Sequence, residues 1–205
     1  MGFDERTTLP DLRLLVPVGL ERAGVLAAFS DRRGGASLGP YRSLNVGFGV
    51  GDDPGAVRAN RRRLAGALAL DAFAVAGLVH GARLARVGPG RAGAGFVDPG
   101  GRIRGADGLV ATVPGLALAV TCADCLPVVL APGDGRAVAV VHAGWRGIAA
   151  GILQRAVAAL GGRRDLRAAI GPAVGPCHYE VGDDVVRAVA RGAGERPVTS
   201  RRGGR

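Results

Sequence analysis

The chain contains no lysine, and all 27 of its basic residues are arginine. That absence removes whole classes of chemistry, since a P-loop, a Schiff-base enzyme and a lysine general base each need the amine. Sulfur and imidazole are almost as scarce, with three cysteines, three histidines and one methionine, at position 1. An odd cysteine count, with two thiols spaced as CADC, does not make a secreted disulfide framework; a reducing compartment fits better. Three histidines are too few for a multi-copper cluster, and no internal methionine is present as the usual axial ligand of electron-transfer copper. Long apolar runs are missing too. The longest uncharged stretch, Gly108 to Ala123, is shorter than a membrane span and contains proline and glycine. Near the N-terminus, acids stand where a signal peptide wants bases, and Pro10 and Pro17 interrupt the only apolar run. These features predict a cytoplasmic protein.

What is present is a folded domain. With 205 residues, 48% hydrophobic against 21% charged, the chain can bury a core without disulfide or metal staples. The formal charge of +10 comes from arginines scattered along the sequence. They form no stripe on one element, so the expected partners are small molecules, with neither nucleic acid nor membrane. Strand-like runs outnumber helical ones: VLAAFS from Val25, AVAGLVH ending at His80, GLVATV, LALAVT, LPVVLA, AVAVVHA and LRAAIG. Asp53 as N-cap and Pro54 at the first helical position predict a helix to about Leu70, with Val57, Leu64 and Leu68 inward and Arg58, Arg61 and Arg62 facing water. A second helix is expected from Gly147 to Leu160, and a third, capped by an aspartate, within VGDDVVRAVARG. The fold class is therefore α/β (α+β): one domain over 1–190, a mixed β-sheet with helices packed on it, followed by a basic tail, 191–205, expected to be disordered. Gly88, Gly90 and Gly93 have the spacing of a dinucleotide fingerprint, but Pro89 lies inside it and no helical pattern follows.

Chemistry concentrates between Val120 and Gly147. The runs LPVVLA and AVAVVHA are joined by the short turn Pro132 to Gly135, which predicts a hairpin and brings Cys125 near His142. His80 ends another β-prone run. Two imidazoles and a thiolate suit zinc, and three protein ligands leave a fourth position open. Without a metal, Cys125 and His142 could form a nucleophilic dyad with Asp124 or Asp107 orienting the imidazole. CADC is followed by a strand, whereas a redox pair opens a helix, so Cys122 is expected to be a buried, inactive thiol. Arg146, just ahead of the Gly147 helix, is the leading anion clamp, with Arg32 and Arg61 as weaker alternatives. Asp124 and Glu180 are the carboxylates considered for proton transfer or support.

The segments FSDRRGGAS, NVGFGVGDD, VHGARLARV, ADGLVA, CADCLPVVL, VHAGWRG and IGPAVGPCHYEVG, in this order, resemble the YfiH/LACC1 family, also known as the laccase-like polyphenol oxidase family. The resemblance implies a CNF1/YfiH-like fold and a purine nucleoside enzyme. Expected activities are phosphorolysis of adenosine, inosine and methylthioadenosine, and hydrolytic deamination of adenosine. It implies a zinc-type site, with copper as the alternative metal. The family's metal ligands fall on His80, Cys125 and His142, the residues the spacing had singled out. Further readings are a Cys-His hydrolase, a copper-dependent polyphenol oxidoreductase, and a metal-binding domain with weakened catalysis.

Overall fold

A computed structural model of the chain describes residues 2–9, 11–194, 197 and 199. Strands β1 (Phe3–Leu9) and β2 (Leu12–Pro17) form an antiparallel hairpin that leads into a one-turn helix, α1 (Val18–Glu21). The strand expected from Val25 shrinks to β3 (Phe29–Ser30), paired to β2. Next come α2 (Pro54–Ala67), β4 (Ala74–Gly77), β5 (Leu84–Arg86), β6 (Ile103–Arg104), β7 (Gly108–Ala111) and β8 (Leu118–Ala119). The chain continues through β9 (Leu126–Ala131), β10 (Val138–Ala143), α3 (Trp145–Ala149), α4 (Ile152–Ala159), β11 (Arg167–Ile170) and α5 (Asp183–Ala193). The expected mixed α/β domain is present, but its strands divide among three sheets, ordered β1-β2-β3, β11-β9-β10-β7-β5 and β6-β4-β8.

The central strands β9, β10 and β7 are buried on both faces, which is why their runs read as continuously apolar, whereas the edge strands β11 and β5 are more exposed. Because side chains alternate along a strand, Val128, Leu130, Ala139 and Val141 pack with Ile152, Ala156 and Leu160, on α4 and at its C-cap. Leu109, Val129, Ala131 and Val140 belong to the other cluster, with Leu20, Phe29, Ala74, Ala76 and Ile103. The helix expected from Gly147 to Leu160 starts at Trp145 and breaks at Gly151, whose φ of +79° is left-handed. For α5 the N-cap is Gly182, not an aspartate; Asp183 and Asp184 instead sit in its first turn, where their charge favours the helix dipole. That helix runs to Ala193, past the expected tail boundary at 190. Apart from Pro197 and Thr199, the tail beyond Gly194 lies outside the described residues.

Helix α2 begins as expected, with Asp53 Oδ2 accepting from the Ala56 amide at 2.7 Å, and ends at Ala67. Arg61 does not face water. It is 1% exposed, donating from Nε to Val46 O (2.7 Å) and from Nη1 to Gly95 O (2.6 Å) and Phe96 O (3.1 Å), with its guanidinium 4.6 Å from the Phe48 ring centre. Burial, reinforced by Arg102, pulls its pKa down to about 10. Glycine-rich loops fold over this face of α2, and their carbonyls need donors that helical periodicity cannot foretell. Arg61→Ala is expected to lower unfolding free energy by about 3 kcal/mol, because it leaves three carbonyls without their charged donor. A denaturant midpoint indistinguishable from the parent's would show that those carbonyls find other partners.

Candidate metal centre

The hairpin forms as expected, closed by Gly135 N donating to Pro132 O at 3.0 Å, with Leu126 opposite Ala143 and Pro127 opposite His142. Antiparallel pairing puts the start of β9 and the end of β10 at one end of the sheet. Cys125 lies in a bend just before β9, and His142 is the penultimate residue of β10. His80 lies in the loop that crosses from β4, in the three-stranded sheet, to β5, at the edge of the five-stranded one. The centre is therefore assembled at a junction between two sheets and not along one sheet edge.

Asp107 holds the junction together. It is fully buried, and its carboxylate accepts from the His80 amide (Oδ1, 2.8 Å), the Gly81 amide (Oδ2, 2.8 Å) and the Val79 amide (Oδ2, 3.2 Å). Three successive amides can converge in this way because His80 adopts φ +57°. Asp107 Oδ1 also lies 3.0 Å from His142 Nδ1. With the Nδ1 proton directed at the carboxylate, the Nε2 lone pair is left for an ion. One donor atom from each of His80, Cys125 and His142 lies within 4.8 Å of the others, and the two imidazoles meet edge to face with centroids 4.8 Å apart.

This donor set fits a metal. Space in front of it is kept by Gly144, where a Cβ would come 3.1 Å from Cys125 Sγ and 3.3 Å from His80 Nδ1. Behind it, a Cβ at Gly147 would come 2.7 Å from Gly81 O, so α3 packs directly on the His80 turn. Gly144→Ala is expected to weaken metal binding about tenfold with little change in melting temperature, as read by competition with a chelator. Unchanged affinity would show that the thiol and imidazole move aside freely. Burial, then Asp124 and Asp107, push the Cys125 thiol up from its ordinary value. Cys122, the expected inactive thiol, is pushed up to about 12, chiefly by burial.

The remaining expected residues are more dispersed. Asp124 is exposed, precedes β9, and its side chain makes no hydrogen bond among the described residues; support of the ligands falls to Asp107 instead. Arg146 lies inside the first turn of α3, not ahead of it, exposed and stacked 4.4 Å from the centre of the Trp145 ring. Glu180 is exposed, and His178 turns to Cys177, with Nδ1 to Sγ at 3.0 Å. Arg32 is committed to its own loop, Nε donating to Arg42 O at 2.7 Å. No sequence pattern singles out Tyr179, yet it lies close to the centre. The Val174 amide donates to Asp124 O at 3.0 Å, tying the segment that carries Tyr179 to the centre. Burial first, and then the Cys125 thiolate, raise its phenol, while Arg146 pulls the other way. An apolar cavity of about 470 Å³ reaches Thr121 and Cys122, but none of the three donors lines it.

Known proteins match this chain on both sequence and fold. Residues 26–204 match the family model described as multi-copper polyphenol oxidoreductase laccase. The purine nucleoside phosphorylase YlmD of Geobacillus stearothermophilus is 42% identical over 171 residues, 80% of this chain and 62% of the relative. The purine nucleoside phosphorylase YfiH of Escherichia coli is 39% identical over 175 residues, 84% of this chain and 68% of the relative. Against the crystal structure of the Geobacillus YlmD the TM-score is 0.80 at 40% identity, covering 85% of this chain and 67% of that one. The matched region thus spans only about three-fifths to two-thirds of these relatives. With most of its length matched by the family model, and with the donor set assembled, the chain belongs to the laccase-like polyphenol oxidoreductase family that includes the YfiH and YlmD proteins.

Proposed function

We propose that the chain is a cytoplasmic, metal-dependent purine nucleoside phosphorylase acting on adenosine, inosine or methylthioadenosine, with hydrolytic deamination of adenosine as a side activity. The observation that carries this reading is the meeting of His80, Cys125 and His142 in a chain about 40% identical to named purine nucleoside phosphorylases. In phosphorolysis a phosphate oxygen bonds to the anomeric carbon. The glycosidic C–N bond breaks, its electron pair leaves with the base, and the base nitrogen takes up a proton, giving free base and the sugar 1-phosphate: ribose 1-phosphate from adenosine or inosine, 5-methylthioribose 1-phosphate from methylthioadenosine. A zinc ion on the three donors would supply Lewis-acid polarisation, and copper would suit the same donors. Asp107 holds the His142 tautomer and the His80 turn. Arg146 is exposed, two residues beyond the Gly144 that borders the donors, and is the group assigned to hold phosphate, through paired N–H donors. Asp124 faces Cys125 closely enough to raise its thiol and is assigned to proton traffic at the centre's rim.

Two measurements test this. Adenine release should depend on inorganic phosphate and yield ribose 1-phosphate; release at the same rate without phosphate would make the enzyme a hydrolase. Arg146→Ala should raise the KM for phosphate about tenfold or more while leaving the KM for adenosine nearly unchanged. Equal changes in both constants would remove Arg146 from the phosphate site. The competing reading, a Cys125–His142 hydrolase without metal, is disfavoured because the thiol is pushed up, away from the thiolate such a nucleophile needs.

A further inference from the structure

The glycine-rich stretch from Arg83 to Arg104 has no part in the metal centre, and its arginines are scattered along the sequence. Folding collects them. Strand β5 is an edge of the five-stranded sheet and β6 an edge of the three-stranded one. With the one-turn 3₁₀ helices Pro89–Arg91 and Pro99–Gly101, these edges border a solvent-open groove of about 890 Å³. Arg83, Arg86, Arg91, Arg102 and Arg104 all line it, and no acidic or aromatic residue does. Backbone carbonyls fix two of them: Arg83 donates to Gly105 O and Arg104 O, and Arg102 to Pro99 O. Arg86, Arg91 and Arg104 are exposed, and their side chains make no hydrogen bond or ion pair among the described residues. Elsewhere Arg6, Arg13, Arg33, Arg163 and Arg187 each have an aspartate or glutamate partner.

Five guanidinium groups around one groove repel each other and raise its potential until an anion enters. Arg86, Arg91 and Arg104 have their paired donors free for phosphate oxygens, and five arginines lining a groove of about 890 Å³ suit a row of phosphates better than a single one. Without aromatic side chains the groove offers no stacking platform for single-stranded nucleic acid. We propose that it binds a linear polyphosphate chain, as carried by nucleoside di- and triphosphates or inorganic polyphosphate, at a site separate from the metal centre. The proposal is independent of the phosphorylase reading.

Calorimetric titration of the full chain at low salt provides the test, with inorganic triphosphate, ATP and orthophosphate as probes. Triphosphate and ATP should bind with similar affinity, and orthophosphate about tenfold or more weakly. Triphosphate binding without ATP binding would assign the groove to inorganic polyphosphate, still within the proposal. Replacing Arg86, Arg91 and Arg104 together by serine should weaken triphosphate binding about a hundredfold, with metal content and adenine release unchanged. Replacing Arg22, Arg62 and Arg164 by serine removes the same charge from other exposed positions and should change binding no more than about threefold. Equal losses in the two triple variants would mean that net charge alone attracts the anion, and would overturn the site. A parent that does not prefer triphosphate to orthophosphate, or that binds ATP but not triphosphate, would also overturn it.

Discussion

His80→Ala, Cys125→Ala and His142→Ala should each lose bound metal and adenosine phosphorolysis together, while melting as cooperatively as the parent. Removing any one donor leaves two, and two ligands hold zinc poorly. The fold should survive because its apolar clusters are independent of the three donors. His178→Ala is the matched control: that imidazole is exposed, turned to Cys177, and outside the donor group, so metal content should stay near the parent's. Metal per chain by mass spectrometry, read beside phosphate-dependent adenine release, decides the matter. A His80 variant with stoichiometric zinc and normal turnover would sink the three-donor centre.

Asp107→Ala should be nearly as damaging by a different route. The substitution removes the acceptor for three consecutive amides and for His142 Nδ1, all in a fully buried place. Expected effects are a stability loss of about 3 kcal/mol and a fall in metal affinity of about tenfold to a hundredfold. Asp107→Asn separates the parts, because the amide keeps the volume but offers only one oxygen to the converging N–H groups. Its metal affinity should fall while most of the core remains intact. If Asp107→Ala binds metal as tightly as the parent, the His80 turn and the His142 tautomer need no carboxylate.

The site was more legible in the sequence than its support. Cys125 and His142 could be joined because a short turn between two apolar runs leaves little choice but a hairpin, and the hairpin is there. His80 was selected by its chemistry and by resemblance; nothing local in the sequence puts a residue beyond β4 against a different sheet. Asp107 appeared only as one of two carboxylates that could orient an imidazole. Its larger task, gathering the amides of 79–81, depends on a left-handed residue at His80; histidine enters that region more readily than most side chains, but it is still uncommon there and nothing in VHG singles out this position. The burial of Arg61 is hidden from the sequence for a related reason. Helical periodicity reports which way a side chain leaves its own helix but not which loops will cover it, and here the covering loops bring carbonyls instead of water. The break at Gly151 shows the same limit, since the apolar spacing of Ile148, Ile152 and Leu160 continues across a turn that is not helical.

The left-handed turn at His80 has a kinetic consequence. A histidine in that conformation costs on the order of 1–3 kcal/mol of backbone strain, and four hydrogen bonds to one buried carboxylate offset it before any ion arrives. None of these bonds involves an ion, so the ligand-bearing backbone should hold without one and loading need not wait for the chain to order. Uptake should be second order, proportional to free metal concentration without a plateau set by refolding, and stripping with a chelator should be reversible through many cycles. Supply of the ion would then set how much of the protein is charged with metal at any moment.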